Sequence, residues 1–303
     1  MDNGENGRRG LGWLPDFPDF RDYTQHTEEV AHLLEPTGLL RGGLRSRRKK
    51  KGKADLPASS DLRPWCAPIE DQLGLGSCTA HAGVGVLEYY ERKSFGKFID
   101  ASRLFLYKVT RNLMHQKGDT GAYLRSTMGA MVLFGVPPEE YWPYAEAADA
   151  FDREPPAFCY AFAQNYKTIK YYRHDPPGTS AREKLDRVKT HLAAGHPVMF
   201  GFTVYNSISQ ADSTGLIPFP SAREKIVGGH AVMAAGYDDR KKITNANGRV
   251  ETAGALLIRN SWGRTWGQEG YGWLPYEYVF GGLAEDFWSV LKKEWVDTGQ
   301  FNC

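Results

Sequence analysis

The rhythm of apolar positions changes partway along this 303-residue chain. Between residues 182 and 194, Leu185, Val188 and Leu192 recur at three- and four-residue spacing, which predicts an amphipathic helix closed by Gly195. Residues 78–93 read the same way, small side chains first and then Val84, Leu87 and Tyr90 on one face. Residues 99–113 and 121–134 suit two more helices, the second ended by Gly135 and Pro137. Beyond residue 195 the pattern turns to short β-rich runs at 197–205, 230–239, 255–263 and 270–278, with Asn247-Gly248 as a hairpin turn. Helices first and strands second predict an α+β fold, two halves around a cleft, without internal repeats.

The first 55 residues have a different texture. Residues 1–10 are rich in Gly, Asn and Arg; in 11–23, Trp13, Phe17, Phe20 and Tyr23 are separated by Pro15 and Pro18, which predicts an extended path. Residues 24–35 suit one short helix ended by Pro36, and 41–53 carry eight Lys/Arg and no acid. This divides the chain into an N-terminal segment with a basic linker, 1–55, and a globular domain, 56–303. The net charge is +2 from 38 basic and 36 acidic residues, so without the basic run the remainder stands at 30 against 36, or −6. A dedicated nucleic-acid binder carries a broader basic surface. The run itself suits a solvated linker or a small anionic ligand. No stretch of about 18 apolar residues predicts a membrane span, and the polar start lacks a secretory signal, so the expectation is a cytoplasmic protein unless exported by a non-classical route. Four cysteines are too few for a disulfide framework; Cys66 and Cys159 read as a pair or as two thiols, and Cys303 as a free thiol.

Three short segments carry candidate chemistry. Cys78 opens a predicted helix, where the dipole and free N–H groups stabilise a thiolate, and the glycines before it let a substrate backbone approach. His230 follows Gly228-Gly229 at the start of an apolar strand. Asn260 ends another strand within Arg259-Asn-Ser-Trp262-Gly263, where an amide can orient an imidazole beside a shielding indole. Each alone also fits a buried structural residue. No metal-ligand cluster or phosphate loop competes with them, and no cofactor is expected.

Taken in order, the segments resemble the papain-like cysteine peptidases, over about residues 56–290. Gly118-Asp-Thr-Gly-Ala-Tyr123-Leu resembles that family's substrate loop, Tyr141-Trp-Pro-Tyr144 its Tyr-Pro-Tyr turn, and Gly267-Gln-Glu-Gly-Tyr271 one of its strands; bacterial members are the most similar. The resemblance implies a papain-like fold of a helical and a β-barrel-like half. It implies Cys78 as nucleophile, His230 as base and then acid, Asn260 as orienter of the imidazole, and Gln72 with the Cys78 N–H as oxyanion hole. Trp262 would cover the Asn–His hydrogen bond. Gly121, Ala122, Tyr123, Leu124, Gly201, Gly228 and Ala231 would line the substrate site, with Glu285 or Asp286 on the floor of the pocket for the residue second from the scissile bond. That pocket should be wide and apolar, tolerating arginine.

Departures from the family pattern are visible too. Thr79 stands where tryptophan is usual, and Leu75 and Asp119 stand where the family often has two bridged cysteines. Cys78 precedes His230 by 152 residues and Asn260 by 182, somewhat beyond the usual spacing of roughly 130–150. The expected activity is endopeptidase, on peptide or protein substrates, by a monomer. A catalytically silent binding module is the alternative. The aromatic residues at 13, 17 and 20 suggest that residues 1–40 cover part of the cleft and dampen activity, Trp13, Phe17 and Phe20 filling substrate pockets.

Overall fold

In a computed structural model, which describes residues 9–37, 39, 56–166, 170–296 and 298, a helical half and a sheet half enclose one apolar core, and an N-terminal strap runs between them. The basic run at 41–53, the boundary at 55 and Cys303 lie outside the described residues. The strap contains strand β1 (Trp13–Leu14) and helix α1 (Glu28–Leu34), whose Val30 and Leu34 pack on Tyr172 and Leu291.

The helical half is built from α2 (Cys78–Phe95), α3 (Arg103–Leu113), α4 (Leu124–Leu133), α5 (Ala148–Phe151) and α6 (Ala157–Ala163). Helix α2 is buried over most of its length and ends at Gly96, whose φ of 71° is one that glycine adopts without strain. Ser102 caps α3 by accepting the Phe105 N–H at 3.1 Å. α7 (Ala181–Ala193) begins with a reciprocal Ser180–Glu183 capping box and buries Leu185, Val188 and Leu192, the face expected from the spacing.

The remaining strands are β2 (Ser59–Asp61), β3 (Ala122–Tyr123), β4 (Lys170–Arg173), β5 (Val198–Tyr205), β6 (Ile226–Thr244), β7 (Glu251–Arg259), β8 (Tyr271–Pro275) and β9 (Ala284–Leu291). The main sheet is antiparallel in the order β4-β9-β5-β6-β7-β8, with β2 added to β6. β1 pairs in parallel with β3, Trp13 opposite Ala122.

The main helices and β5–β8 fall broadly where the pattern put them, with differences. β4 and β9 were not anticipated. The run at 270–278 is strand only to Pro275 and then turns into α8 (Glu277–Phe280), ahead of a final short helix α9 (Lys293–Val296). The β6–β7 hairpin exists, but it closes with a six-residue loop after Thr244, tied by Asn245 N–H to Val250 O at 2.9 Å. Its left-handed residue is Arg249, φ 52°, not Asn247 or Gly248. Cys66 and Cys159 are separate buried thiols. No described helix is long and apolar enough to cross a membrane.

Candidate active site

Three elements from the two halves meet at Cys78. The turn Gln72–Ser77 leads directly into α2, so Cys78 sits at the helix N-terminus, fully buried. Residue 230 of β6 stands opposite Phe202 of β5, and Asn260 immediately follows β7. His230 Nε2 and Asn260 Oδ1 lie 2.7 Å apart, and His230 Nδ1 has no hydrogen-bond partner. The Trp262 ring stacks on the imidazole at 4.5 Å between centroids. Gln72 is fixed from both ends: its backbone N–H donates to Ser261 O at 2.9 Å, and Ser261 Oγ donates to its Oε1 at 2.5 Å. The amide nitrogen donates to Leu75 O at 2.8 Å, within the same turn. Tyr144 Oη donates to Gln72 O at 2.8 Å and lies 2.7 Å from Ser77 Oγ, steadying the turn from the helical side.

Burial dominates the protonation of the pair. It pushes the Cys78 thiol up to about 11, opposed by the N–H groups of Ala231, Gly12, Thr79 and Cys78 itself, which face the sulfur. It pushes His230 down to about 4, against the hydrogen bond to Asn260. At neutral pH the covered pair is a thiol and a neutral imidazole. His81, the other buried histidine of this region, contacts Ser77 Oγ and O and belongs to the wall of the turn.

The chain's own residues 9–13 lie against these segments. Arg9 pairs with Asp212, and its guanidinium lies 5.2 Å from the Trp262 ring centroid. Gly10 O accepts from Gln72 Nε2 at 3.0 Å, and Gly10 N–H donates to Leu73 O at 2.9 Å. Leu11 lies against Gly228, and Gly12 O accepts the Ala122 N–H at 2.8 Å. A Cβ at Gly10 or Gly12 would stand 1.9 Å from Leu75 O or Gly76 O, so only glycine lets the strap press onto the turn before Cys78. The Trp13 indole lies on Gly201 and Gly229, and its Nε1 donates to Asp286 Oδ2 at 3.2 Å.

The expected substrate-site residues divide accordingly. Gly121, Ala122 and Tyr123 form the loop edge, Gly201 and Gly228 border the strap, and Ala231 offers its N–H to the sulfur. Leu124 is wholly buried at the start of α4. Asp286 is buried beneath Trp13, 3.1 Å from Arg173 and 2.6 Å from the Trp288 indole nitrogen, and burial raises its carboxyl to about 7. Glu285 is exposed and faces a neighbouring cavity of about 230 Å³. Phe17 and Phe20 fill no pocket: they are 89% and 93% exposed, because Pro15 and Pro18 carry the strap out over the surface beyond Trp13. Gly10, Gly12, Arg173, Ser261 and Trp288 were not anticipated. The Gly-Leu-Gly-Trp alternation at 10–13 was the available signal for the first two. No group of described residues could hold a metal ion.

The papain family cysteine protease model matches residues 56–286. The chain belongs to this family. It is a cysteine-type peptidase with a papain-like fold. A peptidase C1-like protein of Acanthamoeba polyphaga mimivirus is 34% identical over 73% of this chain and 69% of its own length. Human cathepsin L2 is 26% identical over 76% of this chain and 66% of its own. Among solved structures, xylellain, a cysteine protease from Xylella fastidiosa, is 32% identical, covers 94% of this chain and 96% of its own, and superposes with a TM-score of 0.71. The bromelain protease of Ananas comosus, solved with the E64 inhibitor, shares the fold at 19% identity, with a TM-score of 0.56 and coverage of 77% and 98%. These relatives come from a virus, a bacterium, an animal and a plant, so kinship assigns this chain no source.

Proposed function

We propose that this peptidase cleaves within peptide and protein substrates using Cys78, His230, Asn260 and Gln72, and that the strap holds it latent. The observation that carries the reading is the imidazole tied to Asn260 at one nitrogen and unpartnered at the other, one residue before the Ala231 N–H that faces the Cys78 sulfur at a helix N-terminus. Once the strap leaves, water restores the charged forms, and the proton moves from Cys78 to His230 to give thiolate and imidazolium. The thiolate attacks the substrate carbonyl carbon, the oxyanion accepts from Gln72 Nε2 and the Cys78 N–H, and His230 protonates the leaving amine. Water, deprotonated by His230, then releases the acyl group and regenerates the thiol.

Latency follows from what residues 9–13 occupy. The Gly10 carbonyl takes the Gln72 donor that an oxyanion would use, and Trp13 takes the pocket. The strap passes Trp262, then Cys78, then the pocket. A substrate whose leaving group must reach His230 runs the other way, so the strap lies reversed and is not presented for attack. The pocket fits a large aromatic side chain with a donor at its far end. Arg173 already answers the Asp286 charge, which removes the reason for arginine to be favoured there.

The test is labelling of Cys78 by a thiol-reactive epoxide, with peptide hydrolysis followed in Cys78→Ala and in a chain lacking residues 1–40. We expect stoichiometric labelling, no hydrolysis by Cys78→Ala, and a higher kcat/KM on a short fluorogenic peptide for the truncated chain, provided it stays folded. Absent labelling would return the silent binding module. Unchanged kinetics in a folded truncation would leave the strap a structural element only.

A further inference from the structure

The turn 72–77 and the loop 118–123 face each other across the cleft edge and touch backbone to backbone. A Cβ at Gly76 would lie 3.1 Å from Asp119 Oδ1 and 3.4 Å from Gly121 N. Yet neither segment belongs to a sheet at that point, and Leu75 and Asp119 cannot cross-link them covalently. What joins them is a chain of hydrogen bonds. Gly76 N–H donates to Asp119 Oδ1 at 2.9 Å and lies 3.2 Å from Oδ2. Tyr107 Oη donates to Asp119 Oδ1 at 2.6 Å and accepts the Gly121 N–H at 3.0 Å. The donor order is forced: a carboxylate only accepts and a backbone N–H only donates, so the phenol must do both. Tyr107 is buried on α3, and one turn further Arg111 lies 4.2 Å from its ring centroid and donates to Gly118 O. Both ends of the loop are thus referred to α3.

We propose that Asp119, acting through Tyr107 and the Gly76 N–H, is a positioning residue: it sets the distance between the turn that leads to Cys78 and the loop edge at Ala122 on which an extended chain pairs. The inference rests on the peptidase reading, since it assigns the loop edge to substrate. Asp119 touches neither the thiol nor the strap. Its effect is on how well an extended peptide, held at Ala122, is brought to Cys78. A substrate too short to reach Ala122 is indifferent to it.

Full-length protein carrying Asp119→Ala, Asp119→Asn or Tyr107→Phe is assayed on a four-residue fluorogenic peptide and on a blocked single-residue ester. The ratio of the two kcat/KM values cancels the fraction of molecules with the strap open. Asp119→Ala lowers that ratio about tenfold, mainly through KM, and Asp119→Asn, which keeps an acceptor oxygen, stays within about threefold of the parent. Equal losses on both substrates, or none on either, overturn the proposal. Amide hydrogen exchange reads the same device without activity: Asp119→Ala speeds exchange at Gly76 and Gly121 together, and Tyr107→Phe at Gly121. Unchanged exchange in Asp119→Ala overturns the clasp itself. If no protein, parent included, hydrolyses either substrate, and the folded chain lacking residues 1–40 does not either, while exchange responds as stated, the peptidase reading falls and the clasp stands as the link between turn and loop.

Discussion

The two stretches of the strap are held by different physics. Residues 10–13 are held by shape: two glycines against carbonyl oxygens, one indole in a pocket, and backbone hydrogen bonds to Leu73 and Ala122. Residues 16–22 are held by charge. Arg125 grips both oxygens of Asp22 at 2.9 and 2.7 Å, pairs with Asp16 at 2.8 Å and donates to Phe17 O at 2.9 Å, while Arg173 donates to Asp16 O at 3.1 Å. Close packing tolerates no extra atom, whereas partly exposed ion pairs tolerate exchange with water and salt. Under the proposed latency, the first stretch sets whether the cleft is shut. The second sets how readily the strap starts to leave.

That contrast can be broken first at Gly12. Gly12→Val forces branched carbons into Gly76 O, and overpacking of this kind costs about 1–3 kcal/mol, so the ratio of closed to open molecules should fall by roughly five- to 150-fold. The check is the rate of Cys78 alkylation by a small neutral reagent, which should rise accordingly; an unchanged rate would mean the strap does not gate the thiol. Trp13→Ala removes the indole anchor, worth on the order of 2 kcal/mol, and should raise peptide hydrolysis by about thirtyfold while leaving the reaction's dependence on Cys78 intact. On the charged side, Arg125→Ala should accelerate alkylation by only a few-fold, about 1 kcal/mol, and the acceleration should shrink as salt is added, since exposed pairs are screened in the parent as well. Equal effects of Arg125→Ala and Gly12→Val would erase the distinction between the stretches.

The remaining handle is pH. Asp286 is raised to about 7 by burial under the strap, so the closed form holds a proton that the open, hydrated form gives up. A raised carboxyl stabilises the closed form most below its ordinary range near pH 4, and the contribution is lost as pH rises through 7. Alkylation corrected for thiol ionisation should therefore climb between pH 5 and 8 in the parent and less in Asp286→Asn. A flat parent profile would remove Asp286 from the closure.

The candidate site was legible because each of its members carries its context in sequence. Cys78 opens a helix after a glycine-rich turn, His230 follows two glycines on a strand, and Asn260 precedes a tryptophan. The main helices and β5–β8 were legible for the same local reason, through apolar spacing. What escaped depends on partners far along the chain. β4 and β9 find their place only by pairing with each other and with β5. Phe17 and Phe20 look like anchors by composition, yet the strap's exit path leaves them in solvent. Gly10 and Gly12 look like loose ends until Leu75 O and Gly76 O are set against them. Asp119, which reads as a lost cysteine, becomes meaningful only beside Tyr107 and Gly76.

The neutral pair beneath the strap has a bearing on the chemical durability of the protein. Peroxides and similar oxidants attack the thiolate, not the thiol, and the higher sulfur acids they produce are not reversed by ordinary reductants. With its sulfur held at about 11, Cys78 is almost entirely protonated at neutral pH and also out of reach of solvent. On the proposed latency, the covered chain would be stored in reduced form, and its reactivity and its vulnerability to oxidation would begin at the same moment, when Gly12 lifts away.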